Sequence, residues 1–389
     1  MSATLLTILN SAAAAIIAFA LAMSLGRKDA RRDQTVYFAG LLIALLSYVL
    51  GQLLIISGAY SLAPHLVGAE ITIRMALGPA VFFYTRALIS STPTRIAGRD
   101  WLALVGPALV IATSMPFLLL SADEKLALAN PSTRDPVHFQ YALFACTAGV
   151  VLFLGFTAYY IVGALKLQAR HRTRMMQQFS NIEQQSLDWL RKVLLLFSVA
   201  WFFLGAKQIM WISGISAPAF YLSLASIETL AIACFAYFGL RQPALSYDRS
   251  EADPVARAPI LTEAHMARLA DKLASALNAD RLYAESTLSL RDLSDATGAT
   301  KNHISETLSQ YLEVNFFDFV NKRRIEEAER LLCETDETVL GIGLDVGFNS
   351  RSTFNAAFLK HAGLTPSAFR ATKGPSLQST TKSEPGVYE

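Results

Sequence analysis

Apolar residues fill the first 240 positions in long, nearly uncharged blocks, not in the 3.6-residue stripes of soluble helices or the alternation of strands. Leu5–Leu25, Thr35–Ser57, Trp101–Ser121 and Val137–Leu165 contain no Lys, Arg, Asp or Glu. Val193–Ser213 holds one such residue, Lys207, and Ala217–Leu240 holds Glu228. Each block reaches the ~20 residues that a helix needs to cross a bilayer. Gly68–Ser90 is weaker, because Glu70, Arg74 and Arg86 interrupt it and Gly78-Pro79 predicts a kink. Pro107 and Pro116 sit inside a block, which membrane helices tolerate.

The charges between the blocks predict topology. Ala20-Leu21-Ala22 resembles a signal-peptide cleavage site, but Arg27, Lys28, Arg31 and Arg32 follow the apolar run instead of preceding it. That order predicts a retained helix. Arg95 and Arg99 lie in the third gap, and Lys166, Arg170, Arg172, Arg174, Arg191 and Lys192 in the fifth. The alternate gaps are poor in Lys and Arg, so the basic set is assigned to the cytoplasm. Only with Gly68–Ser90 counted does the most basic loop fall inside. The expectation is seven spans, N-terminus out and C-terminus in, in a bacterial cytoplasmic membrane.

Composition agrees. The chain of 389 residues is 53% hydrophobic and 17% charged, against about 25% charged in a soluble protein. This excludes a wholly soluble enzyme and a disordered or collagen-like chain. Of the 34 Lys and Arg, 17 precede residue 241, but only 10 of the 31 Asp and Glu do. Cys146, Cys234 and Cys333 are too scattered for a metal site, and no cofactor is expected.

After the spans (1–240), the proline-broken 241–259 reads as a linker, 260–372 as a helical domain and the Ser/Thr-rich 373–389 as a disordered tail. One pattern occurs twice in the domain. Ser289–Gly298 predicts a short helix stopped by glycine, after which Thr300 caps a second helix burying Ile304, Leu308, Tyr311 and Leu312. Thr338–Val346, the Gly347-Phe348 turn and Ser350 repeat it, with Phe354 and Phe358 buried. Helix, glycine turn and helix with a polar outer face form the layout of a helix-turn-helix DNA reader.

The stretch from Ile342 through Gly347-Phe348, Ser350-Arg-Ser352-Thr-Phe354, Gly363-Leu-Thr365-Pro366 to Phe369-Arg370 resembles the signature of AraC/XylS-type transcription regulators. Leu290–Leu332, with Asn315–Asn321 and Arg324-Ile325, is similar to the first half of the same domain. The resemblance implies two helix-turn-helix units joined by a central helix, Phe316–Cys333, with both recognition helices in major grooves. It places base-reading residues at Asn302, Ser305 and Glu306, and at Arg351, Ser352 and Thr353. The chain departs from the pattern at Glu306 and Ala356, where a basic residue is frequent.

The expected fold is thus all-α, a polytopic membrane bundle followed by a double helix-turn-helix domain. The DNA-contacting set comprises Lys301, Asn302, His303, Ser305, Glu306, Lys322, Arg324, Ser350, Arg351, Ser352, Thr353 and Asn355. Its partners are double-stranded promoter DNA and RNA polymerase, and a homo-oligomer is allowed but not required. Charges inside a bilayer are costly and mark function or pairing, so Glu70, Arg74, Lys207 and Glu228 are either structural pairs or the lining of a ligand pocket. The competing readings are a membrane transporter or enzyme with a regulatory tail, and a tail that binds protein instead of DNA.

Overall fold

The computed structural model describes residues 2–27, 31–130, 132–183, 186–215, 217–242 and 261–373. The expected linker and C-terminal tail lie almost wholly outside them. Two compact units emerge: Met1–His171 with Leu187–Glu251, and Arg172–Ser186 with Ala252–Glu389.

The first unit is a helical bundle. Its helices are α1 (Ser2–Leu25), α2 (Arg32–Ile56), α3 (Ala69–Arg74), α4 (Leu77–Ile89), α5 (Val105–Leu118), α6 (Ala122–Ala127), α7 (Pro136–Gln178), α8 (Asp188–Ile212) and α9 (Pro218–Arg241). The last turns of α7, from Arg172, belong to the second unit. Six helical stretches are long and apolar enough to cross a membrane, and a seventh exists only if the bent pair Pro64–Arg74 and Leu77–Ile89 counts as one span. That pair bends by 41°. The break falls at Met75-Ala76, before the expected Gly78-Pro79. Pro79 lies in the first turn of α4, where the N–H it lacks has no intrahelical partner anyway.

Helix α2 packs against α1, α3 and α4, and α9 packs against α1 and α8. Ile17, Leu42, Leu77, Phe153, Leu190 and Phe235 are buried in their shared core. Large apolar side chains also point outward, among them Phe19, Leu119, Tyr159 and Phe202. Helix α7 continues 13 residues past Leu165, over positions expected to be loop. Its basic residues did not stop it, because Lys and Arg are good helix formers and no glycine or proline intervenes before Gln178.

The second unit is built on α10 (Glu263–Asn278), α11 (Leu290–Thr297), α12 (Lys301–Glu306), α13 (Phe316–Glu334), α14 (Val339–Asp345), α15 (Arg351–Ala362) and α16 (Pro366–Lys373). Met266, Ala270, Leu273 and Leu277 make one buried stripe on α10 at helical spacing. Helix α13 serves two cores. Its first half contributes Phe316 and Val320 to a cluster with Leu273, Leu293, Ile304 and Leu308. Its second half contributes Ile325, Ala328 and Leu332 to a cluster with Ile342, Phe348, Phe354, Phe358 and Phe369.

Candidate functional site

The two repeated motifs fold from their capping residues. Ser289 and Asp292 form a capping box at the start of α11, and Gly298 ends that helix with φ +67°. Thr300 then caps α12 by accepting from the His303 N–H. Asn302 is exposed, and Lys301, His303, Ser305 and Glu306 are half-buried. Glu306 also accepts a hydrogen bond from the Leu261 N–H at 3.0 Å. Beyond Glu306 the helix widens into a π-turn, in which the Leu312 N–H reaches the Thr307 carbonyl. The extra residue shifts the register, so Thr307 becomes buried and Tyr311, expected in the core, is exposed.

In the second motif Thr338 caps α14. Gly347 turns the chain with φ +99°, and a Cβ there would lie 2.6 Å from the Ala284 carbonyl oxygen. Only glycine fits both the conformation and the space. Ser350 caps α15 by accepting from the Thr353 N–H at 3.2 Å. Arg351 and Ser352 are exposed on the first turn, with Thr353 and Asn355 half-buried beside them. An accessible cation and short hydroxyls at a helix N-terminus suit contact with base edges and phosphates.

The cations expected to meet phosphate divide. Lys322 is exposed on α13. Arg324 is not at the surface at all, with 0% exposure. Its Nε donates to the Tyr283 carbonyl at 2.7 Å. Its Nη2 donates to the Glu285 carbonyl at 2.8 Å and to Ser180 Oγ at 3.1 Å. The guanidinium also lies over the Phe348 ring, 5.5 Å from its centroid. Burial pulls its pKa down to about 10, which leaves it charged at neutral pH. Arg324 is therefore a structural strut, and its assignment as a DNA contact is corrected.

In the first unit, three of the four intramembrane charges fall into one chain of contacts. Arg74 Nη2 lies 3.9 Å from Glu70, whose other oxygen accepts from the Gly68 N–H. Gly51 admits this arrangement, since a Cβ there would stand 2.6 Å from Glu70 Cβ. The Arg74 guanidinium lies 4.9 Å from the centre of the Tyr48 ring. The Tyr48 hydroxyl donates to Glu228 at 3.0 Å. Tyr48 was not legible as a member, because a tyrosine in an apolar block carries no charge signal. Lys207 stands over the Tyr221 ring at 5.9 Å, and among the described residues no carboxylate lies within ion-pair distance of it.

Residues 293–372 match the family model of a helix-turn-helix domain. A stretch of 103 residues is 34% identical to uncharacterized HTH-type transcriptional regulators of Staphylococcus aureus strains COL and N315, covering 26% of this chain and 14% of each of theirs. A stretch of 78 residues is 35% identical to the probable transcription factor PqrA of Proteus vulgaris, covering 20% of this chain and 64% of that one. The chain thus spans a small part of the Staphylococcus relatives, and the similarity leaves the apolar helices aside. No solved structure matches. The C-terminal part of this chain is a helix-turn-helix domain of the AraC type.

Proposed function

We propose that the chain is a membrane-embedded transcription regulator, in which the apolar bundle senses a signal and the C-terminal unit binds promoter DNA. The carrying observation is the exposed Arg351-Ser352 turn at the start of α15, inside the matched residues. Helices α12 and α15 act as the two recognition helices, and α13 links them. At 1.5 Å per residue α13 is about 28 Å long, close to the ~34 Å between successive major-groove faces. One chain then reads two adjacent grooves. The outward apolar side chains of the first unit support a lipid surround. The basic loops predict an N-terminus outside and the DNA-binding unit in the cytoplasm.

Footprinting with the intact chain in nanodiscs, over promoter fragments from neighbouring operons, tests the DNA reading. Arg351→Ala is expected to weaken operator binding by roughly 1–3 kcal/mol and to relax preference at one base position. Lys322→Ala should weaken all sequences about equally and flatten the salt dependence. An unchanged footprint for Arg351→Ala would remove α15 from the groove.

The signal reaches the bundle, on this reading, through the Glu70–Arg74–Tyr48–Glu228 contacts and the neighbouring Lys207. A polar or charged ligand that alters their balance shifts α8 and α9, and α9 runs toward the DNA-binding unit in sequence. Glu228→Gln, Lys207→Met and Tyr48→Phe should each bring a reporter's induction ratio to about 1, with protein level and DNA affinity unchanged. Normal induction in all three rejects a sensing role for this network.

A further inference from the structure

The chain between α7 and α8 is part of the DNA-binding unit. Phe179 forms an antiparallel bridge with Ser289. The Ser180 N–H donates to the Leu288 carbonyl at 3.0 Å, and its hydroxyl donates to the same oxygen at 2.8 Å. Ser180 Oγ in turn accepts from the buried Arg324 guanidinium. Ser180 and Ile182 are both buried. This is a built anchor, joining residues 144 positions apart in the sequence.

Three positions beyond the anchor, Glu183 is exposed and meets α15. It is the sole carboxylate between Arg172 and Ser186. It accepts a hydrogen bond from the Ser350 hydroxyl at 2.6 Å. Ser350 is the N-cap of α15, and its hydroxyl also contacts Ser352 Oγ and Thr353 Oγ1. A helix N-terminus favours one negative group, which on DNA is a phosphate. Glu183 holds that place in the free chain, and a carboxylate and a phosphate repel each other there.

We propose that Glu183 is an internal competitor of DNA, which makes the segment Arg172–Ser186 a latch on the second recognition helix. The inference rests on the DNA-binding reading above. The anchor and the competitor have separate tasks. Ser180 stays fixed by Arg324, while the exposed Glu183 side chain leaves Ser350 when DNA binds. Because the latch is continuous in sequence with α7 and α8, any movement of those helices that draws Glu183 off Ser350 raises DNA affinity without altering a DNA-contacting residue. In this way the unit carries its own negative regulator.

The test uses the intact chain in nanodiscs and a fluorescent mixed-sequence 30-base-pair duplex at low salt. Glu183→Ala should bind about 2–5-fold tighter than the wild-type chain, the range expected for one charge at a helix N-terminus. Asp271→Ala removes another exposed carboxylate, on α10, and should bind as the wild type does. An equal gain in Asp271→Ala would show a general charge effect and overturn the latch. So would unchanged or weaker binding by Glu183→Ala alongside a wild-type chain that binds, and that result leaves the DNA reading standing. If neither the wild type nor any variant binds the duplex, the DNA reading fails and the latch falls with it.

Discussion

Arg324→Ala is expected to open the C-terminal unit, at a cost on the order of 4 kcal/mol or more. The substitution strips a donor from the Tyr283 and Glu285 carbonyls and from Ser180 Oγ, and it leaves a cavity beneath Phe348. Each buried acceptor left without a partner costs about 1–3 kcal/mol, and a large-to-small change in a core adds more. Arg324→Lys should rescue only part, since an ammonium is a single point and cannot serve three divergent acceptors as the planar fork does. Hydrogen exchange on the intact chain in nanodiscs reads this directly. Amides of Phe316–Glu334 and of 283–289 should lose protection in Arg324→Ala, and unchanged protection would reject the strut. The latch should loosen as well, because its Ser180 anchor depends on the same guanidinium.

Arg324 also marks a limit of local pattern. In the sequence it stands in Lys322-Arg323-Arg324, three adjacent cations that read alike. The structure separates them. Lys322 faces solvent; Arg323 pairs with Glu326 and Glu327 and stacks on Tyr283; Arg324 turns inward. Successive residues on a helix point about 100° apart, so one of three had to face the core. Its acceptors, however, come from 283–285 and 180, and no local signal announces them. Glu183 is equally silent in sequence, a lone acid in a basic loop.

What was legible was local chemistry. Ser289, Thr300, Thr338 and Ser350 all cap the helices their sequence positions suggest, and Gly298 and Gly347 both take the left-handed conformation. Caps and glycine turns depend on a few neighbouring residues, so a sequence carries them well. The π-turn at Thr307–Tyr311 and the long run of α7 were missed for the opposite reason. Tertiary packing selects a π-turn, and nothing in the charges of 166–178 forbids a helix. Within the bundle, the spacing of Glu70 and Arg74 predicted their meeting, whereas the Tyr48–Glu228 bond spans 180 positions and needs the fold.

Phe348→Ala is the other change expected to cost several kcal/mol, roughly 3–5 for a buried phenylalanine emptied to alanine. The ring is 3% exposed, packs 5.3 Å from Phe354 and closes the core that Phe358 and Phe369 extend. It immediately follows Gly347, whose turn seats it between α14 and α15, and its own N–H donates to the Gly343 carbonyl. The loss should therefore fall on the second motif, while the cluster around Leu293 and Ile304 keeps its protection. Pulse proteolysis of the intact chain should show faster cleavage within 339–362 than within 263–297. Arg351→Ala, by contrast, should cleave like the wild type, which separates loss of fold from loss of recognition. Because the Arg324 guanidinium rests on the Phe348 ring, Arg324→Ala combined with Phe348→Ala should cost less than the two single effects added together. Full additivity would mean that the ring and the guanidinium support the core independently, and the stacking would then contribute nothing measurable.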